Sequence, residues 1–158
     1  MPSPLRILVL TCVISLTSLS AALAQQPDPG LAAGTWKLNP GRSKLAGPVP
    51  RSRVHTIEHR GGGVVVNRIE ETSADGGTVT TVWTEKADGT DYPMMLVRDG
   101  TPTSQTIRST RVDAYTVRWA IRNASGVVTA SGTRTVSKDG TSFTNTIGDI
   151  IEAVYEKQ

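Results

Sequence analysis

His55 and His59 are the only histidines in the chain, and their four-residue spacing would place two imidazoles on one helix face as metal ligands. The stretch that carries them, "RVHTIEH", is β-rich and predicts a strand. On a strand the two rings share a face but stand roughly 13 Å apart, at about 3.3 Å per residue. One ion cannot bridge that gap, and no cluster of cysteine or carboxylate offers a third ligand, so no metal site is predicted. Nucleophilic chemistry is equally poorly supplied. The single cysteine, Cys12, lies in the N-terminal apolar run, and no Gly-x-Ser-x-Gly occurs. Glu70 and Glu71 are adjacent on a strand and therefore face opposite ways. Gly61, Gly62 and Gly63 lie between two strands and open no helix, which excludes a phosphate loop. The sequence thus predicts no catalytic residue, no cofactor and no enzyme.

What remains is a set of aromatics and cations. Arg68, Arg108, Arg118, Arg122 and Arg134 are spread over strand-like segments and are expected on an outer wall. One or two of them turned inward would suit a polar or anionic guest. Trp83, Tyr92, Tyr115, Trp119 and Tyr155 are the candidates for lining an interior binding space. They are not interleaved with the cations, so nucleic acid is not an expected partner.

Those side chains need elements to position them. Residues 7–20 form an apolar run behind Arg6, and Ala22-Leu23-Ala24 offers a small-residue cleavage site. Residues 1–24 are therefore expected to be a cleaved signal peptide, residues 25–33 an unstructured lead-in, and residues 34–158 one domain. Export to the periplasm or medium follows, with no membrane span after cleavage. The formal net charge of +3 is modest, but it is unevenly distributed. Residues 42–68 hold six cations and one anion, residues 70–99 hold seven anions and two cations, and residues 108–138 hold six cations and one anion. Neighbouring strands of opposite charge predict cross-strand ion pairs on a solvated face.

Turn signals cut the rest at short intervals: the glycine triplet at 61–63, Asp75-Gly76, Asp88-Gly89, Asp99-Gly100, Asp113, Ser125-Gly126, Asp139-Gly140 and Gly148-Asp149. Between them lie strand candidates at residues 34–38, 52–60, 64–71, 78–86, 91–97, 103–111, 114–122, 127–137, 141–147 and 151–157. Alternation is clearest in "YTVRWAIR", where Tyr115, Val117, Trp119 and Ile121 share the apolar face. No sustained 3.6-residue period occurs. The only long connection, residues 39–51, contains three prolines, Pro40, Pro48 and Pro50, which leave little room for a helix. An all-β, up-and-down antiparallel barrel of roughly 8–10 strands is predicted.

The opening "GTWKLN" supplies a resemblance. Gly34-Thr35-Trp36 resembles the Gly-x-Trp signature on the first strand of lipocalins and other calycins, in which the tryptophan plugs the closed barrel end. Ser43-Lys44, the segments 88–93, 111–117 and 136–140, and the closing "VYEK" extend the likeness over nearly the whole mature chain. Together they resemble small secreted bacterial proteins described as lipocalin-like and of unknown function. The resemblance implies a calycin barrel with Gly34 and Trp36 as its structural plug. It also shows one departure: the Arg-x-Tyr with which fatty-acid-binding barrels hold a carboxylate is matched by Tyr155 but has Ala153 in place of arginine. Carboxylate recognition by that route is not expected. The function expected is non-enzymatic binding of a small hydrophobic or amphipathic ligand inside the barrel. The alternative is a protein-interaction or inhibitor module on a filled barrel.

Overall fold

A computed structural model describes residues 32–98, 101–148 and 151–158. The expected signal peptide and most of the lead-in lie outside the described residues. The described residues form ten strands: β1 (Gly34–Leu38), β2 (Ser52–His59), β3 (Val65–Thr72), β4 (Thr78–Glu85), β5 (Asp88–Arg98), β6 (Thr101–Arg111), β7 (Thr116–Arg122), β8 (Val128–Val136), β9 (Ser142–Ile147) and β10 (Ile151–Lys157). Each strand pairs antiparallel with its sequence neighbour, and β1 closes on β10. The result is a closed up-and-down barrel, as the short turn spacing predicted. Closure leaves no unpaired edge, which matters for a chain whose strands are rich in threonine and valine.

The turns show why the register holds. In "SADGG" the Ser73 hydroxyl donates to Asp75 at 2.6 Å, and the same carboxylate accepts the Gly77 N–H. "SKDGT" repeats the chemistry, with Ser137 donating to Asp139 at 2.6 Å and the Thr141 N–H closing on that oxygen. Asp113 and Asn123 cap their own turns in the same way. These side chains satisfy backbone donors that the ladder leaves open.

Asp88-Gly89 differs from expectation. The two residues belong to β5, and the chain reverses just before them. Pairing with β6 breaks register between Asp88 and Asp91, and Gly89 sits at φ +82°. The dipeptide forms a bulge: Asp88 accepts the Thr90 N–H and the Tyr92 hydroxyl within it.

Trp36 closes one end. It is fully buried, meets Phe143 edge-on at 5.1 Å and donates its indole N–H to the Ala32 carbonyl at 2.9 Å. Phe143 in turn stacks on Tyr155 at 4.4 Å. Lys157 lies over the indole, its ammonium 5.1 Å from the ring. A Cβ on Gly34 would stand 2.8 Å from the Lys157 side chain, so the glycine of Gly-x-Trp leaves room for that cover. A second apolar group, Trp83, Met94, Ile107 and Trp119, lies farther along the barrel.

Candidate functional site

Strand parity sets what the interior contains. On β7, Val117, Trp119 and Ile121 turn inward, while Arg118 is exposed. The ladder then carries the same face onto β8, because Trp119 stands opposite Gly132 and Val117 opposite Arg134. Gly132 is required there. A Cβ would lie 1.8 Å from the Thr146 carbonyl oxygen and 2.9 Å from the Trp119 ring, so only glycine admits both. Trp119 completes its fit by donating its indole N–H to Asn145 at 3.0 Å.

Beyond these rings the barrel opens. A cavity of about 390 Å³ lies toward the end opposite Trp36. Ile69, Met94, Ile107, Trp119, Ile121 and Ile147 give it apolar walls. Arg53, Glu71 and Arg98 border it where β2, β3 and β5 reach the open end, and Arg134 and Tyr155 lie farther in. The long connection after β1 runs past this same end. It includes a single 3-10 turn (Pro40–Arg42), is pinned to β10 by the Lys44–Glu152 bridge, and seats Leu45 against the Trp36 cluster. A much smaller space, about 70 Å³, lies at the Trp36 end beside Val65, Glu85 and Tyr115.

Between the two spaces runs a buried polar network. Asn67, fully buried, accepts on Oδ1 from Arg134 at 3.3 Å and contacts His55 Nε2 at 3.1 Å. Its amide N–H₂ donates to Glu85 at 3.4 Å, and Glu85 also accepts the Trp83 indole N–H at 2.8 Å. Burial holds the His55 pKa well below the ordinary histidine value, and the Arg134 charge adds to this against the Asn67 hydrogen bond. His55 is thus neutral, and Nε2–H donating to Asn67 completes the network. Burial also lowers the Arg134 pKa, opposed by Glu85 and Tyr155. It raises that of Tyr155, opposed by Arg53 and then Arg134.

Of the residues predicted to line an interior space, Trp83, Trp119 and Tyr155 border the large cavity together. Tyr92 packs beside the Trp83 group, with its hydroxyl on Asp88. Tyr115 lies elsewhere: it precedes β7 and borders the small space at the Trp36 end. Gly34 and Trp36 occupy the closed end. His59 also borders the small space, and among the described residues no three histidine, cysteine or acidic side chains converge as metal ligands.

The arginines need a correction. Arg68, Arg108 and Arg118 are exposed, as an outer wall requires, but Arg134 turns inward. The signal was parity on β8, where Ala130, Gly132, Arg134 and Val136 share one side. Arg53 and Glu71 were also missed. They stand directly opposite on β2 and β3 and pair at 2.6 Å at the cavity, not on a solvated face. The outer wall does carry one such cross-strand pair, Asp91 with Arg108 at 2.6 Å. Other surface pairs, Arg68–Glu70 and Arg60–Glu58, form within or beside a single strand.

Among the described residues no helix is long and apolar enough to cross a membrane. In comparisons with known proteins, no family model and no curated protein matches the chain.

Proposed function

We propose that this chain is an exported, lipocalin-like binding protein that holds one small amphipathic or hydrophobic ligand inside its barrel, without catalysing a reaction on it. The observation that carries the reading is the cavity of about 390 Å³, open at the end opposite Trp36 and walled by isoleucine, methionine and tryptophan. Ligand sites are concave, mostly apolar spaces of about 300–1,000 Å³ with a few fixed polar groups, and Arg134, Asn145 and Tyr155 supply those groups here. An interaction module on a filled barrel has less support. The large exposed apolar side chains, Val49, Met95, Val112, Val127 and Val128, are distributed over both ends and the wall rather than gathered in one patch.

Native mass spectrometry of the protein isolated from its own compartment tests the reading. The expected spectrum shows a one-to-one adduct of a small molecule that is lost on denaturation. An adduct-free spectrum, together with failure to take up any apolar or amphipathic probe, would refute it.

A further inference from the structure

Residues 108–138 hold six cations against Asp113, and the interior accounts for few of them. Arg134 turns inward, and Arg111 borders the small space at the Trp36 end. Arg108, Arg118 and Arg122 belong to the outer wall. Arg118, Ala120 and Arg122 alternate along the outer face of β7, and Arg108 of β6 stands opposite Ala120. Arg118 and Arg122 are therefore its diagonal neighbours, each about 7–8 Å away along the sheet. Three guanidinium groups surround one methyl side chain.

Their counter-charge is incomplete. Asp91 accepts two bonds from Arg108, at 2.6 and 3.0 Å. Arg122 acts on the same carboxylate through space, and its Nε has no acceptor among the described residues. Arg118 is exposed and makes neither an ion pair nor a hydrogen bond among the described residues. Asp113 is engaged by the Tyr115 and Thr116 N–H groups. Glu152 stands three strands from Arg118, about 14 Å away at about 4.8 Å per strand.

Beside these cations the wall is concave. A groove of about 460 Å³ crosses β7 to β9, with Arg108 and Arg118 on one flank and Thr146 on the other. Its floor is shallow in side chains, because Ala120 stands opposite Ser131. The Ser131 hydroxyl makes no bond among the described residues, and Thr110, opposite Arg118, adds a second hydroxyl. No aromatic side chain of the chain is exposed, and Val128, opposite Arg122, is the exposed apolar group at the rim of this wall.

We propose that this groove docks an acidic polysaccharide, with sugar carboxylates over Arg118 and Arg122 and ring hydroxyls on Ser131 and Thr110. A guanidinium fork takes a carboxylate through two parallel bonds. Serine and threonine both donate and accept, as sugar hydroxyls do. A lipid surface would ask for apolar side chains to insert, and a single-stranded nucleic acid for exposed aromatics to stack on. The wall offers neither beyond Val128. The groove lies outside the barrel and needs no guest in the interior cavity, so it stands apart from the binding function proposed above.

Fluorescein-labelled polygalacturonate, a polymer of one uronic acid, is titrated with the protein near neutral pH and followed by anisotropy. Saturable binding is expected at about 0.05 M salt, weaker by at least about tenfold at about 0.5 M because screening shortens the reach of the arginines. Arg118→Gln should weaken binding by at least about tenfold, the scale of a hydrogen bond to a charged group. Arg68→Gln changes the net charge equally but lies on β3, and should stay within about twofold because its distance from the groove is screened. Both side chains are exposed, and circular dichroism melting confirms that the variants are folded. Absence of saturable binding overturns the proposal. Equal weakening by the two variants does so too, since it would mean attraction to net charge alone. Competition by neutral dextran would show that the arginines do not select the partner. Tighter binding to phosphatidylglycerol vesicles or to duplex DNA at the same salt overturns the assignment to a polysaccharide.

Discussion

Replacing Trp36 by alanine removes the largest fully buried side chain in the barrel. Three losses combine. The indole leaves a void at the narrow end that backbone strands cannot collapse into, because β1 is tied to both β2 and β10. The edge contact to Phe143 at 5.1 Å disappears, and so does the hydrogen bond to the Ala32 carbonyl. Deleting a buried tryptophan costs about 3–5 kcal/mol, and the aromatic pair and hydrogen bond place this site in the upper part of that range. For a domain of this size roughly 4 °C of melting temperature accompanies each kcal/mol. The expected loss is therefore about 16–20 °C, read by circular dichroism at 217 nm. Trp36→Phe, which keeps a ring against Phe143, should recover about half of it. If Trp36→Ala melts within about 2 °C of wild type, the tryptophan does not hold the closed end and the packing argument is wrong.

Three further outcomes follow from the same geometry. His55 has a folded pKa below its unfolded value, so the unfolded chain takes up the proton first as pH falls. Stability should then decline by about 1.4 kcal/mol per pH unit below about 6.5. His55→Asn should flatten that slope relative to wild type in denaturant titrations at pH 7 and pH 5, and an unchanged slope would contradict a buried neutral imidazole. Gly132→Ala forces a Cβ against the Thr146 carbonyl and the Trp119 ring. It should lower the melting temperature by at least about 8 °C, an overpacking cost of about 2 kcal/mol or more, whereas Gly126→Ala in an open turn should cost far less. Intact-mass measurement of the exported protein should give a chain beginning near Gln25, and retention of residues 1–24 would refute the export reading.

The barrel was legible because its turns carry their own chemistry. Ser-x-Asp-Gly at 73–76 and at 137–140, and Asn123 with Gly126, are signals that act locally whatever the rest of the chain does. The Asp88-Gly89 bulge was not, since a tight turn and a bulge both ask for a glycine at positive φ, and only pairing with β6 separates them. Tyr115 shows what parity leaves open. It shares the inner face with Val117, and both border the small space, but parity does not say how far along the barrel a residue lies, and Tyr115 precedes β7 at the Trp36 end. Arg134 was hidden because "TASGTRTV" sets only Ala130, Gly132 and Val136 against threonine and serine, a contrast too weak to mark the side they share with Arg134 as the inner one. That face is set from outside, by Trp119 pressing on Gly132 across the ladder. Arg53 and Glu71 meet inside for a similar reason: the register of β2 on β3 decides it, and single-strand patterns do not contain it.

Titration of the protein with Nile red, on wild type and on Trp119→Ala, tests the proposed binding cavity most directly. One saturable site per chain is predicted, with a blue-shifted emission from an apolar interior. Trp119→Ala should weaken it by at least about tenfold without loss of the folded barrel, because that ring forms the cavity wall beside Ile121 and Asn145. Emission that rises without saturation, or saturable binding untouched by Trp119→Ala in a folded protein, would contradict an internal binding site.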